Sequence, residues 1–326
     1  MPKVSVLVPV YGVEKFIERC ARSLFEQTLN DMEFIFVDDC TPDRSIEILK
    51  SVIEEYRLRL AEKKYEVRIV RMPTNSGLAA VRRHGIQLAT GDYIIHCDSD
   101  DWVDVTMYEK MYNKAIETGS DVVVCDFCRT NGEDKSSINI GAHTTEIKTF
   151  LLNCLFQRDQ WSLWNKLFKI TTYSKEIHYP TGALGEDMVL CLQLLNNCKS
   201  MSYVKDSLYN YYYNPNSITR KKTVANCLNN FYTLKNNTDI ISQFIIKELQ
   251  FNKKTKNHAI SYLRMVNSFS LLPIRHIHQY RKLWKENSQS MGLSFFFIPQ
   301  ISVYYKFVYC LSCLPFYPTM QKRINQ

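Results

Sequence analysis

Through roughly the first 125 residues, compact apolar runs alternate with stretches in which apolar positions recur at helical spacing. Val4–Val10 is short, β-branched and almost wholly apolar, which fits a buried parallel strand. Val13, Phe16, Ile17, Cys20, Ala21 and Leu24 follow with charges between them, an amphipathic helix of about four turns. Glu33–Val37 is a second strand, ending in Asp38-Asp39. Thr41-Pro42-Asp43 then predicts an N-cap with proline at the first helical position, opening a helix to about Lys64. Val67–Val70 predicts a strand, Leu78–Ala89 a helix, Tyr93–Cys97 a strand, Val105–Thr118 a helix and Asp121–Cys125 a strand. This alternation predicts an α/β fold, a Rossmann-like and mostly parallel sheet with helices on both faces.

Past about Asn131 the pattern loosens. Glu146–Phe156 predicts a helix, Asn165–Ile170 a strand, Asp187–Leu195 a helix, and Ser202–Val204 and Leu208–Tyr213 two short strands. From Arg220 the alternation stops and helices with basic and aromatic faces remain, so a sheet domain over 1–219 and a helical extension over 220–326 are expected.

Composition narrows this picture little. A hydrophobic fraction of 45% argues for a folded globular chain. The net charge of +8, from 41 basic and 33 acidic residues, suits an anionic partner. Because the basic residues are dispersed rather than set in one stripe, nucleic acid is not the expected partner. The eleven cysteines lack a framework spacing and many lie in apolar runs, so free thiols in a reducing cytosol are expected. The pairs Cys125/Cys128 and Cys310/Cys313 read as small buried hydrophobes rather than a zinc site. Lys3 followed by Val4–Val10 reads as a strand and not a leader, since Pro9, Glu14, Lys15 and Glu18 follow at once. The aromatic stretch from Met291 to Gln321 carries Lys306 as its one charge and admits two readings. One is a core helix pair; the other is an amphipathic anchor on a membrane surface, because Pro299, Pro315 and Pro318 argue against a span.

Three clusters carry chemistry. Asp98-Ser99-Asp100-Asp101 ends the Tyr93–Cys97 strand, and three carboxylates so close are costly to fold without a cation. Oxygen-only ligands suit Mn²⁺ or Mg²⁺ and leave positions open for phosphate oxygens. Asp38-Asp39 and Pro9-Val10-Tyr11 end two other strands; a carboxylate can accept from a pyrimidine N3–H and a tyrosine ring can stack on the base. Gly185-Glu186-Asp187 opens an apolar-periodic helix, where adjacent acids point about 100° apart and only one can face a substrate.

Together these segments resemble the large family 2 of glycosyltransferases, of the bacterial polysaccharide-biosynthesis type and with the GT-A fold. The matching stretches are Val6-Leu7-Val8-Pro9-Val10-Tyr11 with Glu14, Phe36-Val37-Asp38-Asp39-Cys40-Thr41, and Asn75-Ser76-Gly77-Leu78. Arg82, Gly85, Ala89, Gly91, Asp92 and Tyr93 lead on to Asp98-Ser99-Asp100-Asp101. Trp164-Asn165-Lys166-Leu167-Phe168, Gly185-Glu186-Asp187 and Ser217-Ile218-Thr219 continue the match to about residue 220.

The resemblance implies a nucleotide-sugar half over 1–130 and an acceptor and catalytic-base half over 131–219. It puts Pro9, Tyr11, Glu14, Asp38, Asp39, Asn75, Gly77, Arg82, Asp98 and Ser99 on the donor side. Asp98 and Asp100 form the metal motif, with Asp100 the direct ligand. Asp187 matches the base, while Asp101, Trp164, Asn165, Lys166, Glu186 and Ser217 face the acceptor or support the site. The expected activity is inverting transfer of a sugar from a UDP-sugar to a hydroxyl of a glycan or lipid-linked glycan. The expected cofactor is a divalent cation, and the expected place is the cytoplasm, with the inner membrane face as a candidate surface. Two departures stand out: Arg83 where relatives have Asn, and Tyr211-Tyr212-Tyr213 where a basic residue is common before the Ser-Ile-Thr segment. The rival readings are a nucleotidyltransferase and a non-catalytic nucleotide-sugar-binding protein.

Overall fold

The computed structural model describes residues 1–132, 135–138, 144–182, 184–213 and 223–269, together with 271, 282, 283, 286 and 306. The aromatic stretch from Met291, Lys306 excepted, and the Ser217-Ile218-Thr219 segment lie outside the described residues, as do Cys310 and Cys313.

The predicted alternation is present. It runs β1 (Val4–Val10), α1 (Ile17–Phe25), β2 (Met32–Asp38), α2 (Ser45–Lys63), β3 (Glu66–Arg71), α3 (Leu78–Leu88) and β4 (Tyr93–His96). β5 (Trp102–Val103), α4 (Met107–Thr118), β6 (Val122–Thr130), β7 (Lys135–Ile138), α5 (Ile147–Leu155) and β8 (Lys166–Lys169) come next. α6 (Glu186–Asn197) and β9 (Met201–Tyr212) close the sheet region, and α7 (Val224–Lys247) and α8 (Lys253–Phe269) follow.

The strand order is β3-β2-β1-β4-β8-β6-β9-β5, with β7 also paired to β6. β3, β2, β1 and β4 are mutually parallel. β8 enters antiparallel between β4 and β6, so the sheet is mixed, although β6 and β9 again run parallel. The chain winds outward from β1 to β3 and then returns to the other side of β1 with β4. That reversal creates a crevice at the carboxyl ends of β1 and β4, where open α/β sheets bind ligands.

Two close approaches fix this part of the sheet. Leu7, Ile35, Val37, Val81 and Ile94 form a buried cluster under α3. At the far edge Gly91 donates its N–H to Ser5 Oγ (2.8 Å) and to Glu33 Oε1 (3.0 Å), and a Cβ there would stand 2.8 Å from the Ser5 nitrogen.

The chain divides into two compact units, 1–154 with 159–214, and 155–158 with 215–326. In the second unit Cys227, Phe231 and Leu271 pack together, and Thr223 caps α7 by accepting from Asn226 N. No helix among the described residues is long and apolar enough to cross a membrane.

Candidate functional site

The acid-rich turn after β4 is clamped from both sides. The Tyr209 hydroxyl accepts from Asp98 N (3.1 Å) and donates to Asp101 Oδ2 (2.7 Å), while Tyr212 N donates to Asp101 Oδ1 (2.7 Å). Asp101 is therefore spent on the turn itself and buried. Burial first, then the charges of Asp100 and Asp98, push its pKa well up despite those two bonds. From α1, Arg19 Nη2 donates to the backbone oxygen of Asp100 (3.0 Å), with its guanidinium 3.7 Å over the Trp102 ring. Asp100 itself is pushed up to about 6 by burial and by Asp98.

The centre of the site is Arg82 on α3, whose side chain is 1% exposed. Its Nε donates to Glu186 Oε1 (3.0 Å), and its Nη2 lies 3.0 Å from Asp98 Oδ1 and 3.3 Å from Asp187 Oδ1. Burial would depress the guanidinium, but Glu186, Asp98 and Asp187 outweigh it and hold its pKa well above the ordinary value. The left-handed Gly185 (φ 78°) starts α6 so that both acids of its first turn reach this cation. Arg82 was expected to orient acids or donor phosphates; the three acids are its partners in this structure, and its side chain is buried.

The residues expected on the donor side gather on neighbouring loops. Tyr11 is 48% exposed, just past β1. Asp39 uses its two oxygens on Ser76 N (2.7 Å) and Gly77 N (2.8 Å), so it shapes the loop that presents the exposed Asn75. Gly77 has φ 80°, a conformation that suits glycine. Asp38 accepts from Thr41 N (2.8 Å) and is buried. The helix expected to open at Thr41-Pro42-Asp43 starts instead at Ser45. Those capping residues turn back to the first loop: Gly12 N donates to Thr41 Oγ1 (2.9 Å) and Glu14 N to Asp43 Oδ2 (2.9 Å). Glu14 in turn accepts from Arg44 N (3.3 Å), and Pro9 holds its place inside β1.

Trp164, Asn165 and Lys166 are buried and form a support behind the acid turn. Trp164 stacks on Tyr209 at 4.3 Å and on Tyr211 at 5.8 Å. Lys166 Nζ donates to Gln160 O (2.9 Å), Ser162 O (2.8 Å) and Asn165 Oδ1 (3.0 Å). Ser99 is buried within the turn, and Ser217 lies outside the described residues.

Sequence reasoning overlooked Arg19, Tyr209 and His96. Arg19 meets a partner 81 positions away, which leaves no local signal. Tyr209 and Tyr211 were visible as aromatics two apart on a strand, one face of which stacks on Trp164. His96 is fully buried, and its imidazole is kept neutral by burial and by Arg82.

Among the described residues, no group of three or more His, Cys, Asp or Glu side chains is arranged to hold a metal ion. The nine described cysteines are free, and Cys20 Sγ approaches Cys97 Sγ at 4.0 Å beneath the acid turn.

The mostly parallel sheet with helices on its faces has the GT-A type of fold, and solved structures agree on it. TarS of S. aureus (residues 1–349) aligns with a TM-score of 0.67 at 19% identity, over 89% of this chain and 80% of that one. The mannosyltransferase PcManGT of Pyrobaculum calidifontis, solved with GDP-Man and Mn²⁺, aligns at 0.55 and 14% identity over 98% and 83%. The chain belongs to Glycosyl transferase family 2, which residues 5–176 match. Glycosyltransferase EpsJ of Bacillus subtilis is 32% identical over 227 residues, 67% of this chain and 63% of that protein. The chain thus spans less than two thirds of that relative's length.

Proposed function

We propose that this chain moves a sugar from a nucleoside-diphosphate donor, a UDP-sugar, to a hydroxyl of a glycan or lipid-linked glycan with inversion at the anomeric carbon. The observation that carries this reading is the shared guanidinium: Arg82 Nη2 lies within 3.3 Å of both Asp98 and Asp187. One buried cation thereby links the acid turn at the β4 end with the first turn of α6. Asp187 is the base: its side chain is 29% exposed, so it can take the proton of an incoming hydroxyl. The family membership supports sugar transfer, and TarS has been solved with UDP-GlcNAc, which supports UDP as the carrier.

The acid turn fits a divalent cation. Asp98 is tied to Arg82, whereas Asp100 is a partly exposed carboxylate whose proton affinity is raised by burial and by Asp98. It offers hard oxygen donors, with Asp98 beside it and phosphate oxygens to complete the set. A bound Mn²⁺ or Mg²⁺ would neutralise charge gathering on the leaving diphosphate. Tyr11 would stack on the base, and the loop held by Asp39 would carry Asn75 to the ribose side.

The test is nucleotide release from a panel of sugar nucleotides with Mn²⁺, Mg²⁺ or EDTA. Metal-dependent release of UDP, abolished in Asp100→Ala, is expected. Release of pyrophosphate would favour a nucleotidyltransferase, and binding without release a non-catalytic role.

A further inference from the structure

The acid turn is closed by Asp101 N, which donates to Asp98 O at 3.1 Å. Two of its carboxylates are tied by their own oxygens, Asp98 to Arg82 and Asp101 to Tyr209 and Tyr212. Asp100 is tied differently. Its backbone oxygen accepts from Arg19 Nη2 at 3.0 Å, across 81 positions of sequence. That oxygen and the Asp101 N–H belong to one planar peptide unit, and both are engaged. The plane cannot turn without breaking a charge-assisted bond at one end or the closure of the turn at the other. Asp100 therefore keeps a fixed direction relative to Asp98, set through its main chain.

Arg19 is itself held in place. Its guanidinium lies 3.7 Å from the centre of the Trp102 ring and 4.9 Å from that of Tyr212. Both rings belong to the surroundings of the turn: Trp102 follows it directly, and Tyr212 is the residue whose N–H bonds Asp101. Phe16, just before α1, packs on the Tyr212 ring at 5.3 Å. The stack thus joins α1, β5 and β9 around the acid turn. A flat guanidinium can stack and still direct its donors in plane, which an ammonium cannot do. The fold itself has less need of this side chain. Ile17, Cys20, Ala21, Leu24 and Phe25 dock α1 and are fully buried, whereas Arg19 is half-buried.

We propose that Arg19, stacked on Trp102 and Tyr212, is the positioning residue that aims Asp100 at a bound divalent cation. The role rests on the cation reading of the acid turn given above. Arg19 acts through the main chain of the turn and needs no contact with substrate or metal.

Amide exchange of the full chain without metal, followed by mass spectrometry, tests the hold on the turn without requiring turnover. In Arg19→Met the peptide covering residues 98–104 should exchange faster, with the rest of the sheet unit and the melting temperature near wild type. Arg19→Lys should fall between the two, because the charge stays and the stack is lost. Mn²⁺ titrations in the presence of UDP, read by electron paramagnetic resonance, test the consequence. Affinity should weaken by about 10–100-fold in Arg19→Met, the range for groups that support a metal ligand from outside. Unchanged exchange in Arg19→Met, or Mn²⁺ affinity equal to wild type, would overturn the proposal. Full recovery in Arg19→Lys would overturn it too, since a point charge would then be enough. Faster exchange throughout the sheet unit would reduce Arg19 to a general stabiliser and equally overturn it. Failure of every protein to bind Mn²⁺, wild type included, would refute the cation reading, with exchange still deciding whether Arg19 holds the turn.

Discussion

Asp187 and Asp98 meet on a single nitrogen of Arg82, and this makes their separate losses distinguishable. Asp187→Asn removes the proposed base but keeps a side chain of the same shape at the start of α6. Nucleotide release should fall by about 10²–10⁴ while donor binding, measured by calorimetry, stays near wild type. Arg82→Met removes the buried cation that the three acids share, so it should unfold the site rather than tune it, and lose both binding and release. The individual acids were legible in the sequence because each ends a strand or opens a helix. Arg82 was legible as a site residue but not as their common partner. Spacing along the chain cannot say that residue 82 meets residues 98, 186 and 187. Arg19 was hidden for the same reason, and Tyr209, although visible as a strand aromatic, gave no sign that it holds the acid turn from a distant element.

At the level of elements, β1 to β4 and α1 to α4 follow the hydrophobic pattern closely, and all but β3, whose residues are half-buried or exposed, bury a stripe or a whole run. The departures have local causes. β9 is one strand of 12 residues where two were expected, since Lys205 and Asp206 look like a break. The pairing with β6 absorbs them through register shifts on either side of Asp126. β5 has only two residues, too few for any periodicity to register. α2 starts late because Thr41 and Asp43 bond across to the first loop instead of capping a helix. A prediction belongs to this scale. Gly91→Ala would push a methyl to 2.7 Å from Ser5 Oγ and 2.8 Å from Ser5 N, forcing β1 and the β4 approach apart. It should cost about 1–3 kcal/mol, read as a lower urea midpoint. Thr223→Ala should cost about 1 kcal/mol in the second unit by removing the cap of α7.

For the molecule as a whole, the buried acids set how stability depends on pH. Asp98, Asp100, Asp101 and Glu186 all have pKa values raised above ordinary carboxylates, chiefly by burial. The folded state therefore binds protons more tightly than the unfolded chain. Stability falls as pH rises through the folded values, which for Asp100 lies at about 6. Glu33 acts in the opposite sense: burial would raise it, but bonds from Ser5 and Thr90 and the Arg68 charge hold it below 4.5. Its contribution is lost only in stronger acid. The sheet unit should thus melt higher near pH 5 than near pH 7 when metal is chelated, and added Mn²⁺ should narrow the difference by compensating Asp100. Thermal scans with EDTA or Mn²⁺ check both statements. At this scale the parallel half of the sheet was readable from alternation alone. The antiparallel entry of β8 was not, because a four-residue strand carries no sign of its direction.

The Arg82 anchor also bears on how such a chain can diversify. The acid turn and the first turn of α6 must both return to one guanidinium, but the loops between Asp101 and Glu186 are bound by no such requirement. Those loops can lengthen, shorten or change sequence while β6 and β8 keep their pairing. Where these loops carry the acceptor contacts expected of residues 131–219, their sequence can change without disturbing the Arg82 anchor. Grafting such a loop from a relative tests whether it sets the acceptor while the Arg82 anchor stays unchanged.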